Sequence, residues 1–175
     1  MFIQGGPRRL TRRFLFLFAA LLLFAGPATR AVRAADELGR LTEIEAAVLA
    51  RVNEERRGAG LAPLVNDERL GEVASDHAMD MIHRNYFDHV DPDGRTLADR
   101  IGKGYPHKTL ETGENILRLI GHLRPDEQAK RMVAAWMNSP AHRKNILDPR
   151  FTRTGIGVWA DYGRLLAAQV FVRLE

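Results

Sequence analysis

Trp136-Met137-Asn138-Ser139-Pro140-Ala141-His142-Arg143-Lys144-Asn145-Ile146-Leu147 joins the end of one amphipathic helix to the start of another. Upstream of the joint, Ala129, Met132, Val133, Trp136 and Met137 recur at i, i+3, i+4, i+7 and i+8, a single apolar helical stripe. Pro125 and Asp126 suit the first turn of that helix, where a missing N–H costs nothing and a carboxylate meets the positive end of the dipole. Asn138 suits its stop. Ser139 followed by Pro140 reads as an N-cap with proline at the first helical position, so a second, short helix begins there. His142 falls in its first turn. The dipole disfavours imidazolium at that place, which leaves a neutral imidazole able to accept a proton or bind a metal. The plainer reading of the same spacing is a capping turn with an exposed polar histidine.

Outward from this joint, helical and strand-like patterns alternate. Downstream, Gly155-Ile156-Gly157-Val158-Trp159 and Leu165 to Val172 are strand-like runs, and Tyr162-Gly163 between them predicts a tight hairpin. Near the start, Ile44, Ala47, Val48 and Val52 mark a helix from about Thr42 to Arg57, ended by Gly58 and Gly60. An extended connector through Pro63 follows. Asn66 or Asp67 then caps a second helix, whose stripe is Leu70, Val73, Ala74, His77, Ala78, Met81 and Ile82. A histidine in such a stripe is more often a hydrogen-bonded residue of the core or its edge than a ligand. Asp91-Pro92-Asp93-Gly94 is a turn, Thr96 to Ile101 a short helix, and Tyr105 to Thr112 irregular. Glu111 to Leu117 reads as a loop entering a strand. Helices on both sides of a small antiparallel sheet predict an α+β domain.

The 175 residues allow one domain and a targeting segment. Arg8, Arg9, Arg12 and Arg13 precede Phe14 to Ala25, an unbroken run of twelve apolar residues. That is short of the roughly 20 needed to span a bilayer. With small residues after it, the pattern is a signal peptide over residues 1–34, cleaved after Ala31 or Ala34. An uncleaved anchor is the alternative, and Thr11-Arg12-Arg13 partly resembles a twin-arginine export signal. Residues 35–40 then form a polar lead-in and 41–175 the domain. Six of the 26 basic residues and none of the 22 acidic ones lie in residues 1–35, so the formal +4 of the whole chain becomes −2 beyond them. The high isoelectric point belongs to the export signal, and nucleic acid is excluded as a partner. There is no cysteine, hence no disulfide, no thiolate metal site and no lipidated cysteine.

Three polar residues, His89, Glu114 and His142, stand in predicted loops or element ends beside Phe87, Ile116 and Ile146, apolar residues suited to anchoring them. Two histidines and a carboxylate suit an open metal site, a general acid/base pair or the polar floor of a ligand cleft. No short metal motif decides among these.

Asn53-Glu54-Glu55-Arg56, the Ala74 to Met81 helix, Phe87-Asp88-His89, Gly113-Glu114-Asn115, the Trp136 to Leu147 joint, Gly155-Ile156-Gly157-Val158 and Gln169-Val170-Phe171 follow one another in order. As an ordered set they resemble the CAP superfamily (cysteine-rich secretory proteins, antigen 5 and pathogenesis-related proteins), in its bacterial branch of secreted SCP-domain proteins. The resemblance runs from about Leu41 to Arg173. It implies an α-β-α sandwich with a small central antiparallel sheet, and a cleft carrying two histidines and two acids. His89, Glu114 and His142 match three of those positions; Ser139 stands where the fourth, a glutamate, is found in animal and plant members. Asn115 and Ser139 join the trio as cleft-lining candidates.

The resemblance also implies an extracytoplasmic protein (periplasm, envelope or extracellular space) that binds a small molecule, lipid, cell-wall or protein ligand without catalysis. Membrane contact is expected only through an uncleaved signal segment. The competing expectation is a secreted, peptidase-like hydrolase using Glu114 with His89 or His142, with a divalent metal such as zinc as candidate cofactor. A third places Ser139 as nucleophile beside His142, against which stands the usual commitment of an N-cap hydroxyl to a backbone N–H.

Overall fold

A computed structural model describes residues 27–102, 105–121, 123–161 and 163–175. Along the chain run α1 (Pro27–Gly58), β1 (Val65–Asn66), α2 (Glu68–His83), α3 (Leu97–Ile101), β2 (Thr109–Ile120), α4 (Pro125–Asn138), α5 (Pro140–Ile146), β3 (Arg153–Asp161) and β4 (Arg164–Leu174). The strands form one sheet in the order β1-β3-β4-β2. β4 pairs antiparallel with β3 and β2 on either side, and the two-residue β1 pairs parallel with the start of β3. β3 and β4 pair as far as Asp161↔Arg164, and Gly163 takes a positive φ (75°); Tyr162 of the expected hairpin turn lies outside the described residues.

The alternation of β4 divides the core. Leu165, Ala167 and Phe171 face one way, against Ile44, Val48 and Val52 of α1 and Met132 and Trp136 of α4. Leu166, Ala168, Val170 and Val172 face the other, against Leu70, Ala74, Ala78 and Met81 of α2 and Ile101 of α3. This is the α-β-α sandwich. α2 begins where Asp67 accepts a hydrogen bond from Leu70 N, and α3 where Thr96 and Asp99 form a capping box.

Gly155 and Gly157 set how closely α2 approaches the sheet. A Cβ at Gly155 would stand 2.1 Å from Gly71 N, and one at Gly157 2.0 Å from Ser75 N. The obstacles are backbone atoms of a helix, which cannot turn aside. The outer edge of β3 is covered too, since Glu45 Oε1 accepts a hydrogen bond from Val158 N at 3.0 Å.

Several expectations are corrected. α1 starts at Pro27, not near Thr42, and takes the 35–40 lead-in into its length. Residues 31–39 are exposed along it, so no buried face gave them a period. The apolar run and the arginines before it, residues 1–26 of the expected signal segment, lie outside the described residues. No helix among the described residues is long and apolar enough to cross a membrane. β2 begins at Thr109, within the stretch read as irregular, so Glu114 sits mid-strand and not at an element end. Its polar Thr109, Glu111 and Asn115 conceal the strand. Ser139 has N-cap backbone angles but its side chain makes no capping hydrogen bond. Phe87, expected as an anchor, is exposed, with the Arg118 guanidinium 5.3 Å from its ring centroid.

Gly157→Ala should therefore lower unfolding free energy by about 3 kcal/mol or more, at or above the usual cost of overpacking a core. Urea denaturation measures it, and an unchanged midpoint would contradict backbone-on-backbone packing of α2 on β3.

Candidate functional site

β2 is a sheet edge, and its outward carbonyls are met by side chains. Trp136 Nε1 donates to Ile116 O at 3.2 Å and Asn145 Nδ2 to Glu114 O at 3.2 Å. Asn145 Nδ2 also donates to Asn115 Oδ1 (2.9 Å), and Asn115 Nδ2 to the carbonyl of His142 (3.2 Å). Two asparagine side chains thus lash the short helix α5 to the strand. They bring His142 beside the residue that follows Glu114.

The Glu114 side chain, buried, is held at both oxygens. Arg100 Nη2 donates to Oε1 at 2.7 Å, and His89 Nδ1 donates to Oε2 at 2.8 Å. Arg100 is itself fixed, its Nη1 donating to the carbonyls of His89 (2.9 Å) and Arg95 (3.3 Å). His77 stands behind, with Nε2 3.9 Å from Glu114 Oε2. That nitrogen donates to Asp88 O at 3.1 Å, which places the proton on it; Nδ1 faces the Tyr86 hydroxyl at 3.3 Å, and Tyr86 donates to Asp80 Oδ2 at 2.7 Å. His77 is the hydrogen-bonded core-edge residue its stripe suggested, yet it also touches the site. Arg100, Asn145 and His77 are what sequence reasoning missed. The short capped helix that carries Arg100 has no apolar period, and only its place beside the Asp91-Pro92-Asp93-Gly94 turn hinted at it.

The three histidines differ electrostatically. The hydrogen bond to Glu114 raises the pKa of His89 above the ordinary imidazole value, against a smaller effect of burial. His77 is lowered, first by burial, and His142 is lowered by burial and then by the charge of His89. Burial, and after it the charge of His89, pushes His142 towards the neutral form. The loop that carries His89 meets β2 at Glu114, and the helix that carries His142 meets it at Asn115.

A divalent cation does not fit this arrangement. Both Glu114 oxygens already accept charge-assisted hydrogen bonds, one from a guanidinium that a cation would have to displace. Among the described residues no three ligating side chains stand together as a metal site. Nor is the locality a deep pocket: His89 is exposed. Sizeable hollows are found at other places among the described residues. One of about 490 Å³ opens between α1 and α2 around Glu45 and Ser75. Another, about 380 Å³, lies behind the site and shares His77 and Arg100 with it. His89 is exposed, and His142 and Ser139 are half-buried.

The pKa directions fix a pH response. A raised histidine contributes stability that is complete below about pH 6.5 and is lost as pH rises through its folded value; a lowered one contributes above about pH 6.5 and loses it as pH falls. NMR titration of the imidazole resonances should find His89 titrating above the ordinary value and His77 and His142 below it. His89 titrating below His142 would contradict its hydrogen bond to Glu114.

The family model described as the cysteine-rich secretory protein family, CAP, matches residues 49–171. The uncharacterized protein YkwD of Bacillus subtilis (strain 168) is 43% identical over 114 residues, which are 65% of this chain and 41% of that protein. The uncharacterized membrane protein YlbC of the same organism is 36% identical over 121 residues, 69% of this chain and 33% of that one. The chain thus spans less than half the length of these relatives. Among solved structures, an extracellular SCP-domain protein of Bacillus anthracis str. Ames superposes with a TM-score of 0.61 at 32% identity, covering 77% of this chain and 40% of that one. An outer surface protein of Borrelia burgdorferi gives 0.67 at 22% identity, over 76% and 94% of the two chains, a likeness of fold alone. The motifs that build the β2 edge and the α2–β3 contact lie inside the matched span, and the chain belongs to the CAP family.

Proposed function

We propose that this is an exported CAP domain that binds a ligand or partner at the β2 edge, around His89, His142, Asn115 and Ser139, and catalyses no reaction there. The observation that carries this reading is the state of Glu114. With Arg100 on one oxygen and His89 on the other, no free carboxylate is left to act as a general base. The polar groups that remain are suited to hydrogen-bonding a small molecule, lipid headgroup, cell-wall fragment or protein. Export is supported by the arginines and twelve-residue apolar run at the N-terminus, and by the Bacillus anthracis SCP-domain protein, which is described as extracellular. The proposed location is extracytoplasmic, with residues 1–34 as the signal segment.

One observation favours the hydrolase reading: the Ser139 hydroxyl makes no capping bond, three residues before a histidine held towards its neutral form. Among the described residues, however, Ser139 has no hydrogen bond to His142, so the serine is not activated. A single preparation separates the readings. Protein collected outside the cell should begin between Val32 and Asp36. It should leave general ester and peptide substrates intact, while calorimetry against lipids and cell-wall fragments finds a ligand whose binding weakens about tenfold in His142→Ala, the loss of roughly one hydrogen bond to a buried partner. Turnover abolished by Ser139→Ala or Glu114→Gln would establish the hydrolase instead.

A further inference from the structure

We propose that Arg100 is the residue that decides which charges this site admits: its guanidinium serves as the built-in cation of Glu114 and keeps divalent metals out. This goes beyond the binding role above and stands without it, because it concerns only the charge balance around one buried carboxylate.

The argument starts from burial. The Glu114 side chain is 3% exposed and that of Arg100 10%, so neither charge is screened by bulk water and each depends on the other. Arg100 Nη2 lies 2.7 Å from Glu114 Oε1. Its other terminal nitrogen is pinned by two carbonyls, those of His89 and Arg95. The His89 carbonyl belongs to the residue whose imidazole takes the second Glu114 oxygen. The loop that delivers the histidine and the helix that delivers the arginine are therefore locked together around the carboxylate. A metal approaching His89 and Glu114 meets a guanidinium where it would need a lone pair. A divalent cation competing for the same oxygen must first displace the guanidinium that donates to it. His89 and Glu114 supply an imidazole and a carboxylate, two donor types that a divalent metal takes. Arg100 occupies that carboxylate, and its removal should free the pair.

Zinc titration by calorimetry at neutral pH tests this on wild type, Arg100→Gln, Arg100→Lys and Arg100→Gln with His89→Ala, each checked for fold by circular dichroism. Wild type and Arg100→Lys, which keeps a cation in place, should show no saturable site. Arg100→Gln should gain one zinc per chain, bound at least about tenfold more tightly than by wild type, and the double variant should lose it. Cobalt in place of zinc should give Arg100→Gln a visible absorption band absent from wild type. Equal zinc binding by wild type and Arg100→Gln would overturn the proposal. So would a wild-type site of one zinc per chain that disappears in Glu114→Gln, a result that decides the matter even if the Arg100 variants fail to fold.

Discussion

A buried guanidinium satisfied by backbone carbonyls holds this domain's functional end together. Arg56, near the end of α1, is 1% exposed. It donates to the carbonyls of Ala62, Ile146, Asp148 and Phe151 at 2.7 to 3.3 Å. Those oxygens belong to the connector after α1, the last turn of α5 and the loop into β3. Burial lowers its pKa, countered by the charge of Asp148, but four carbonyls replace the water it has lost. One side chain thus fixes three irregular segments that have no ladder of their own. Three residues earlier, Asn53 does the same for the connector, exchanging two hydrogen bonds with the backbone of Leu64 at 2.8 and 3.0 Å.

The site inherits its precision from these pins. α5 has seven residues, too few to be stable alone. Arg56 holds its end and the Asn115–Asn145 pair holds its side. His142 is presented by a helix clamped at both places. On the other face, Arg100 ties the His89 loop to Glu114. Around Glu114 the buried charge is neutralised from within the fold, and the backbone of His142 is held in place by Asn115.

What the sequence made legible follows from this division. Wherever a face is buried, the period shows it: α2, α4 and β4 stand where their apolar spacing puts them, and α4 gives way to α5 at the Ser139-Pro140 break. Residues 31–39 of α1 are invisible because they bury nothing. β2 is blurred because an edge strand that carries Glu114 and Asn115 cannot alternate cleanly between apolar and polar residues. His89, Glu114 and His142 are gathered only through the family resemblance, since 25 and 28 residues separate them. Arg100 and Asn145 act through tertiary bonds that no local pattern encodes. His77 shows the limit from the other side: a correct reading of its stripe does not tell what lies beyond its ring.

The central claim is that Glu114 is satisfied from within the fold, and a double-mutant cycle on Arg100 and Glu114 addresses it most directly. Unfolding free energies would be measured for wild type, Arg100→Gln, Glu114→Gln and the double variant. Each single change leaves a buried charge without its partner and should cost about 3–5 kcal/mol. The double change removes both charges, so its cost should fall short of the sum of the singles by more than about 1 kcal/mol. Costs that add within about 0.5 kcal/mol would mean that the two residues do not depend on each other, and the account of the site would fail.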